Sequence, residues 1–140
     1  MNAYADSSFF VSIYVEDEHS QQAEQLLSSG KRVWFTALHY AEYAHAVARQ
    51  VFYKNLTAAE AEQAYRDLER DRASGLWLET EMSGHVFDLC ADLARRHGPK
   101  LGVRTLDSLH VACALELKAQ RFWTFDDRQA RLAKAEGLKA

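Results

Sequence analysis

Apolar residues fall along this chain in short dense runs that alternate with longer stretches of helical spacing. Tyr4-Ala5 leads to Asp6, and Phe9, Phe10, Val11, Ile13, Tyr14 and Val15 follow closely. This predicts a buried strand over residues 2 to 6, ending at Asp6, and a helix that starts at Ser7 or Ser8. Ser20 can cap a helix that ends before Gly30, and Val33-Trp34-Phe35 reads as a second strand. Thr36 then opens a helix whose apolar face carries Leu38, Ala41, Ala44, Val47, Ala48 and Val51. Thr57 with Glu60 forms a capping box for a helix running to about Ala73. A third strand is expected at Leu76-Trp77-Leu78, and a helix from Ser83 that stops near Gly98-Pro99. Arg121-Phe122-Trp123-Thr124 reads as a fourth strand, Asp126-Asp127 open a last helix, and Leu138-Lys139-Ala140 could start a fifth strand.

Between the third and fourth strands, Arg104 to Ala119 predicts a helix with Thr105 as its N-cap, and its apolarity goes most of the way round. Such a helix belongs in a core, yet Asp107 stands in its first turn. The helix dipole favours a negative charge there by only about 0.3 to 1 kcal/mol, which leaves the acid unexplained. Strands alternate with helices throughout, without a hairpin signal or period-two alternation, so the expected class is α/β with a central parallel sheet of four to five short strands.

Composition narrows the picture. With 140 residues, 48% hydrophobic, the chain has the size of one domain over 1–140 with a sizeable core. No apolar run approaches the roughly 20 residues of a membrane span, and the start lacks the basic-then-apolar order of a signal peptide, which points to a cytosolic protein without a membrane partner. Cys90 and Cys113 have no neighbours at zinc-ligand spacing and read as core residues. The formal charge of -3 removes the simplest electrostatic argument for nucleic-acid binding. Arg95, Arg96, Lys100 and Arg104 are nevertheless grouped before the Asp107 helix, as a solvated surface or a grip on a nucleic-acid backbone.

In an open parallel sheet, ligands collect at the carboxyl ends of the strands. Asp6 ends the first strand, Asp126 follows the fourth, Asp107 opens its helix, and Glu42 interrupts the apolar surface of the helix after the second strand. Three of them also have a plainer role open to them, and Asp107 has the weakest. Asp6 can cap the next helix, Glu42 can pair with Arg49, and Asp126 or Asp127 can cap the last helix. If the four acids meet, they need a counter-ion, since two carboxylates 4 Å apart repel by about 4 kcal/mol at an effective dielectric of 20. An all-oxygen set suits Mg²⁺ or Mn²⁺ rather than zinc, and such ions support phosphodiester hydrolysis.

Tyr4-Ala5-Asp6-Ser7-Ser8, Thr36 to Glu42, Arg104 to Ala112 and Thr124-Phe125-Asp126 together resemble the four acidic motifs of PIN domains, in order and over almost the whole chain. Within that family the compact form resembles the VapC toxins of toxin-antitoxin pairs. The resemblance implies a PIN-like fold and a Mg²⁺- or Mn²⁺-dependent endoribonuclease, usually homodimeric. By motif, Asp6 and Asp107 would be the principal metal ligands, and Glu42 and Asp126 would act through water, with Asp127 the neighbour that a one-residue error would select. Ser7 and Thr124 match supporting polar positions. The implied partners are an RNA substrate and a small VapB-like antitoxin whose C-terminal segment blocks the pocket. The alternative is a catalytically silent PIN domain acting as a binding or scaffold protein. A phospho-acceptor receiver-like domain would want an Asp after the third strand, where Leu76-Trp77-Leu78-Glu79 has none. His39 and His45 flank Glu42 at helical spacing but read as surface or satisfied interior residues, His110 and the three tryptophans as core.

Overall fold

A computed structural model describes residues 2–140. Its strands are β1 (Asn2–Ala5), β2 (Arg32–Phe35), β3 (Leu78–Glu79) and β4 (Arg121–Trp123). They pair in parallel in the order β3-β2-β1-β4. The described helices are α1 (Ser7–Tyr14), α2 (Ser20–Leu27), α3 (Ala37–Phe52), α4 (Ala58–Ala73), α5 (His85–Leu101), α6 (Thr105–Glu116) and α7 (Asp127–Ala135).

Successive strand residues point to opposite faces, and here both faces are covered, which is why the strands read as continuous apolar runs. Ala3, Ala5, Val33, Phe35 and Trp123 join one core with Phe9, Phe10, Tyr43, Val47, Ala64 and Leu68, from α1, α3 and α4. Tyr4 and Phe122 face the other core, built with Val86, Leu93, Leu109, Val111 and Leu132 from α5, α6 and α7. Every residue of α6 from Ser108 to Ala114 is buried, as its all-round apolarity implies. The chain winds outward from β1 to β2 and β3, then crosses to β4 on the other side of β1. The order therefore reverses at β1, and the crevice beyond β1 and β4 is the favoured ligand position of an open parallel sheet.

Several boundaries differ from expectation. The third strand sits at Leu78–Glu79 rather than Leu76 to Leu78, because Trp77 turns into the core with its Nε1–H donated to Tyr14 Oη at 3.0 Å while Leu76 stays exposed. Helix α5 continues past Pro99 to Leu101, since a proline in the last turn deprives only the exposed Arg95 carbonyl of its partner. Gly102 closes it in the left-handed conformation, φ 65°, with its N–H on Gly98 O. Helix α6 ends at Glu116, and its N-cap is Arg104, with no side-chain capping bond, rather than Thr105. Leu138 to Ala140 form no fifth strand; they give β4 one hydrogen bond, Phe122 N–H to Lys139 O at 2.7 Å.

Candidate active site

Asp6 lies one step beyond β1, its backbone N–H donated to Trp123 O at 3.0 Å, so the pairing of β1 with β4 fixes its position. Its carboxylate caps α1, accepting from Ser8 N at 2.9 Å and from the Ser8 hydroxyl. The capping role and a place in the cleft thus coexist in one residue. Burial pushes the Asp6 carboxyl above its usual range; the Ser8 hydrogen bonds and the His110 charge oppose this, and the Glu42 charge adds to it.

Glu42 does not pair with Arg49. It accepts from the Ser7 hydroxyl at 2.8 Å and from His110 Nε2. Burial raises its pKa, but the His110 hydrogen bond and charge, with the Ser7 hydroxyl, outweigh this and hold the carboxyl below its usual range. The Tyr4 hydroxyl lies 2.7 Å from His110 Nδ1. His110 therefore belongs to the site as well as the core. It stands three residues after Asp107, one turn further along the same helix face, a spacing that the sequence displays.

His39 has a structural task. In α3 it takes the third position of a capping box, with Nδ1 accepting from Thr36 N at 3.0 Å, while Nε2–H donates to Ala5 O at 2.7 Å. Complete burial, assisted by the His110 charge, lowers its pKa well below the ordinary value, so it stays neutral and ties the start of α3 to the end of β1. His45 is exposed and bonds only to Ala41 O.

Asp107 lies in the first turn of α6 with 16% of its side chain exposed, and Arg104 Nε approaches it at 3.5 Å. Behind it is Gln129 of α7, fully buried, a residue that sequence reading passes over. Gln129 Nε2 donates to Asp107 O at 3.2 Å, and its Oε1 accepts from the Thr124 hydroxyl at 2.6 Å. Thr124 Oγ1 also reaches Asp6 Oδ2, at 3.4 Å, and accepts from Asp126 N at 3.1 Å. Asp126 caps α7 through Gln129 N at 2.8 Å. A polar chain from Asp6 through Thr124 and Gln129 to the Asp107 backbone thus joins the ends of β1 and β4 to the start of α6.

An open cleft of about 690 Å³ is lined by Asp6, Glu42, Asp107 and His110, with Arg49 and Arg104 among its cations. Asp126 and Asp127 line a second depression, which shares Asp107 and Arg104 with the first. Three of the four acids thus face one cleft, and the fourth stands across Asp107 from them. Of the basic group before α6, Arg104 borders both depressions, while Arg96 is committed to Asp92 and Glu136. Cys90 and Cys113 are buried and free, and Trp77 and Trp123 are core residues.

The sequence profile of the PIN domain matches residues 3–135. The structure is similar to that of Mycobacterium tuberculosis VapC20, described as a Sarcin-Ricin loop cleaving toxin, with a TM-score of 0.72 and 16% identity over 98% of this chain and 96% of that one. It is also similar to VapBC2 from Rickettsia felis bound to a DNA fragment from its promoter, with a TM-score of 0.66 and 16% identity over 94% and 93% of the two chains. FitAcB from Neisseria gonorrhoeae gives a TM-score of 0.69, also at 16% identity and over 94% and 93%. At this identity the likeness concerns the fold. No curated protein sequence matches.

Proposed function

The chain belongs to the PIN domain family, and from its cleft we propose that it is a Mg²⁺- or Mn²⁺-dependent endoribonuclease, the toxin of a toxin-antitoxin pair. The observation that carries this reading is the meeting of Asp6, Glu42 and Asp107 in one cleft at the point where the strand order reverses. The acids offer only oxygen donors, and burial raises the Asp6 pKa, a shift that an adjacent cation would oppose. Among the described residues no three Asp, Glu, His or Cys side chains stand as a ready ligand cage. A Mg²⁺ or Mn²⁺ ion needs only one or two carboxylates, with waters and phosphate oxygens completing its shell, and Asp6 and Asp107 would be that pair.

In this reading Asp6 and Asp107 hold the ion directly or through water. The bound ion would activate a water and neutralise charge on the scissile phosphate. Glu42, kept ionised by His110 and Ser7, accepts hydrogen bonds from water in the cleft, and Asp126 does so from the far side of Asp107. His110 and Ser7 hold Oε1 of Glu42 in place, and Gln129 and Thr124 tie the end of β4, beside Asp6, to the start of α6. A small VapB-like antitoxin fits the same pocket, since a guanidinium can replace the cation opposite paired carboxylates; VapBC2 in the comparison carries its partner in its name. Homodimerisation and action in the cytosol, where RNA is the substrate, complete the proposal.

The test uses purified antitoxin-free protein and a panel of structured RNAs with Mg²⁺ or Mn²⁺, with EDTA, and with Asp6→Asn and Asp107→Asn. Metal-dependent cleavage that either substitution lowers by at least about 100-fold is expected. Cleavage that survives EDTA or both substitutions would sink the mechanism. No cleavage of any RNA would favour a silent PIN scaffold.

A further inference from the structure

Beside the acidic cleft, the loop between α1 and α2 presents one aromatic ring for which the fold has little use. His19 stacks on Phe125 with ring centroids 4.3 Å apart and an interplanar angle of 7°. Phe125 is partly buried and rests on the core. His19 holds the N-cap position of α2, yet its side chain makes no capping bond. Among the described residues its side chain pairs with Glu18 alone, at 3.4 Å, whose side chain is 84% exposed. About a third of the His19 side chain is exposed to solvent.

The loop that carries it is fixed. Asp17 accepts from the His19 backbone N–H at 2.8 Å and from the Ser12 hydroxyl at 2.9 Å, and Asp17 N–H donates to Ser20 Oγ at 2.9 Å. Ser12 and Ser20 are buried polar residues, so these bonds anchor the loop to the body of the fold. They also occupy the Asp17 carboxylate. A rigid, pre-formed presentation is what lowers the ordering cost of binding.

The two rings face different parts of the site. His19 lines the cleft that holds Asp6, and Phe125 lines the depression that holds Asp126. Arg104 borders both, with 78% of its side chain exposed and Asp107 at 3.5 Å as its one ion-pair partner among the described residues. An aromatic surface next to an available guanidinium is the pairing by which proteins hold unpaired nucleotides, since every base has a π-face and every nucleotide a phosphate.

We propose that the His19–Phe125 stack is a platform for one unpaired base of the RNA substrate, with Arg104 holding the adjacent phosphate. This rests on the ribonuclease reading and deepens it by placing one base beside the cut on His19.

The test crosses protein variants with substrates. RNA oligomers that the protein cleaves are prepared with a normal base, with 2-aminopurine and with an abasic nucleotide at each position near the cut. His19→Ala and His19→Tyr are compared with the unaltered protein for KM, kcat and fluorescence quenching on binding. Loss of the base at one position should raise KM roughly 5- to 100-fold for the unaltered protein. His19→Ala should raise KM similarly with the intact RNA, abolish quenching at that position and add little with the abasic RNA. His19→Tyr should restore both KM and quenching. Cleavage with KM and quenching unchanged in His19→Ala overturns the platform and leaves the ribonuclease reading standing. Cleavage without quenching of any 2-aminopurine probe overturns the platform alone, and failure of the unaltered protein to cleave any RNA overturns the ribonuclease reading and the platform with it.

Discussion

Gln129 provides the sharpest test of how this site is held together, because it is fully buried and sits in none of the acidic motifs. Its side chain makes two bonds, from Thr124 Oγ1 at 2.6 Å and to Asp107 O at 3.2 Å. Gln129→Met keeps the volume and removes both. A buried hydrogen bond contributes about 0.5 to 1.5 kcal/mol net, so the loss should be about 1 to 3 kcal/mol. For a chain of this size that corresponds to a fall in Tm of roughly 4 to 10 °C. Gln129→Ala should cost about 1 to 2 kcal/mol more through the cavity it leaves. The assay is urea unfolding, read as a change in midpoint at constant slope. A companion substitution, Gln129→Glu, keeps the shape but places a buried carboxylate beside the acidic cleft. Burial raises the pKa of such a group in the folded state, so its penalty should be largest at neutral pH and fade on acidification or on adding Mn²⁺. The reasoning fails if Gln129→Met stays within about 0.5 kcal/mol of the unaltered protein, or if Gln129→Glu is equally stable at every pH.

Other outcomes follow from the same geometry. Asp6 has a folded-state pKa raised by burial, so its contribution is favourable at low pH and is lost as pH rises through that pKa. Asp6→Asn, which keeps the α1 cap, should therefore raise Tm in metal-free buffer at neutral pH, with an advantage that shrinks in acid; thermal unfolding across pH checks it. Glu136 is the opposite case. The Arg96 hydrogen bonds, helped by His97, lower its pKa from 4.5, so its stabilisation is present above that value and lost as pH falls through the folded pKa. Glu136→Gln should flatten the acid limb of the stability profile. Ser108 Oγ is buried without a hydrogen-bond partner, and Ser108→Ala should stabilise α6 by about 0.5 to 1 kcal/mol while cleavage is retained, measured by urea unfolding and RNA cleavage together.

The parts of this architecture legible in the sequence are those that follow from local periodicity. The all-round apolarity of α6, the Thr57–Glu60 capping box and the dense runs of β1, β2 and β4 each state their structure within a few residues. Asp6, Glu42 and Asp107 stood out because an acid beside an apolar run has few explanations. The partners of Glu42 were not legible in the same way, since Ser7 and His110 reach it from 35 and 68 residues away. Gln129 was hidden by a plausible local role: three residues after Asp126 it fits a capping box, but the Asp126 N–H goes to Thr124 instead and frees the Gln129 side chain for Asp107. Strand β3 was misplaced because Trp77 is apolar for the sake of Tyr14 and the core rather than for the sheet.

The pairing of β1 with β4 also bears on how such a protein can be made in a cell. Asp6 takes its place only when Trp123 is beside it, and Thr124, Asp126 and Gln129 come later still. At about 5 to 20 residues per second of synthesis, the first acid waits roughly 6 to 24 s for the strand that positions it. Until then the emerging chain carries its carboxylates without the β1–β4 pairing that fixes Asp6. The position of its first acid is thus set not where the chain begins but only once β4 has been made.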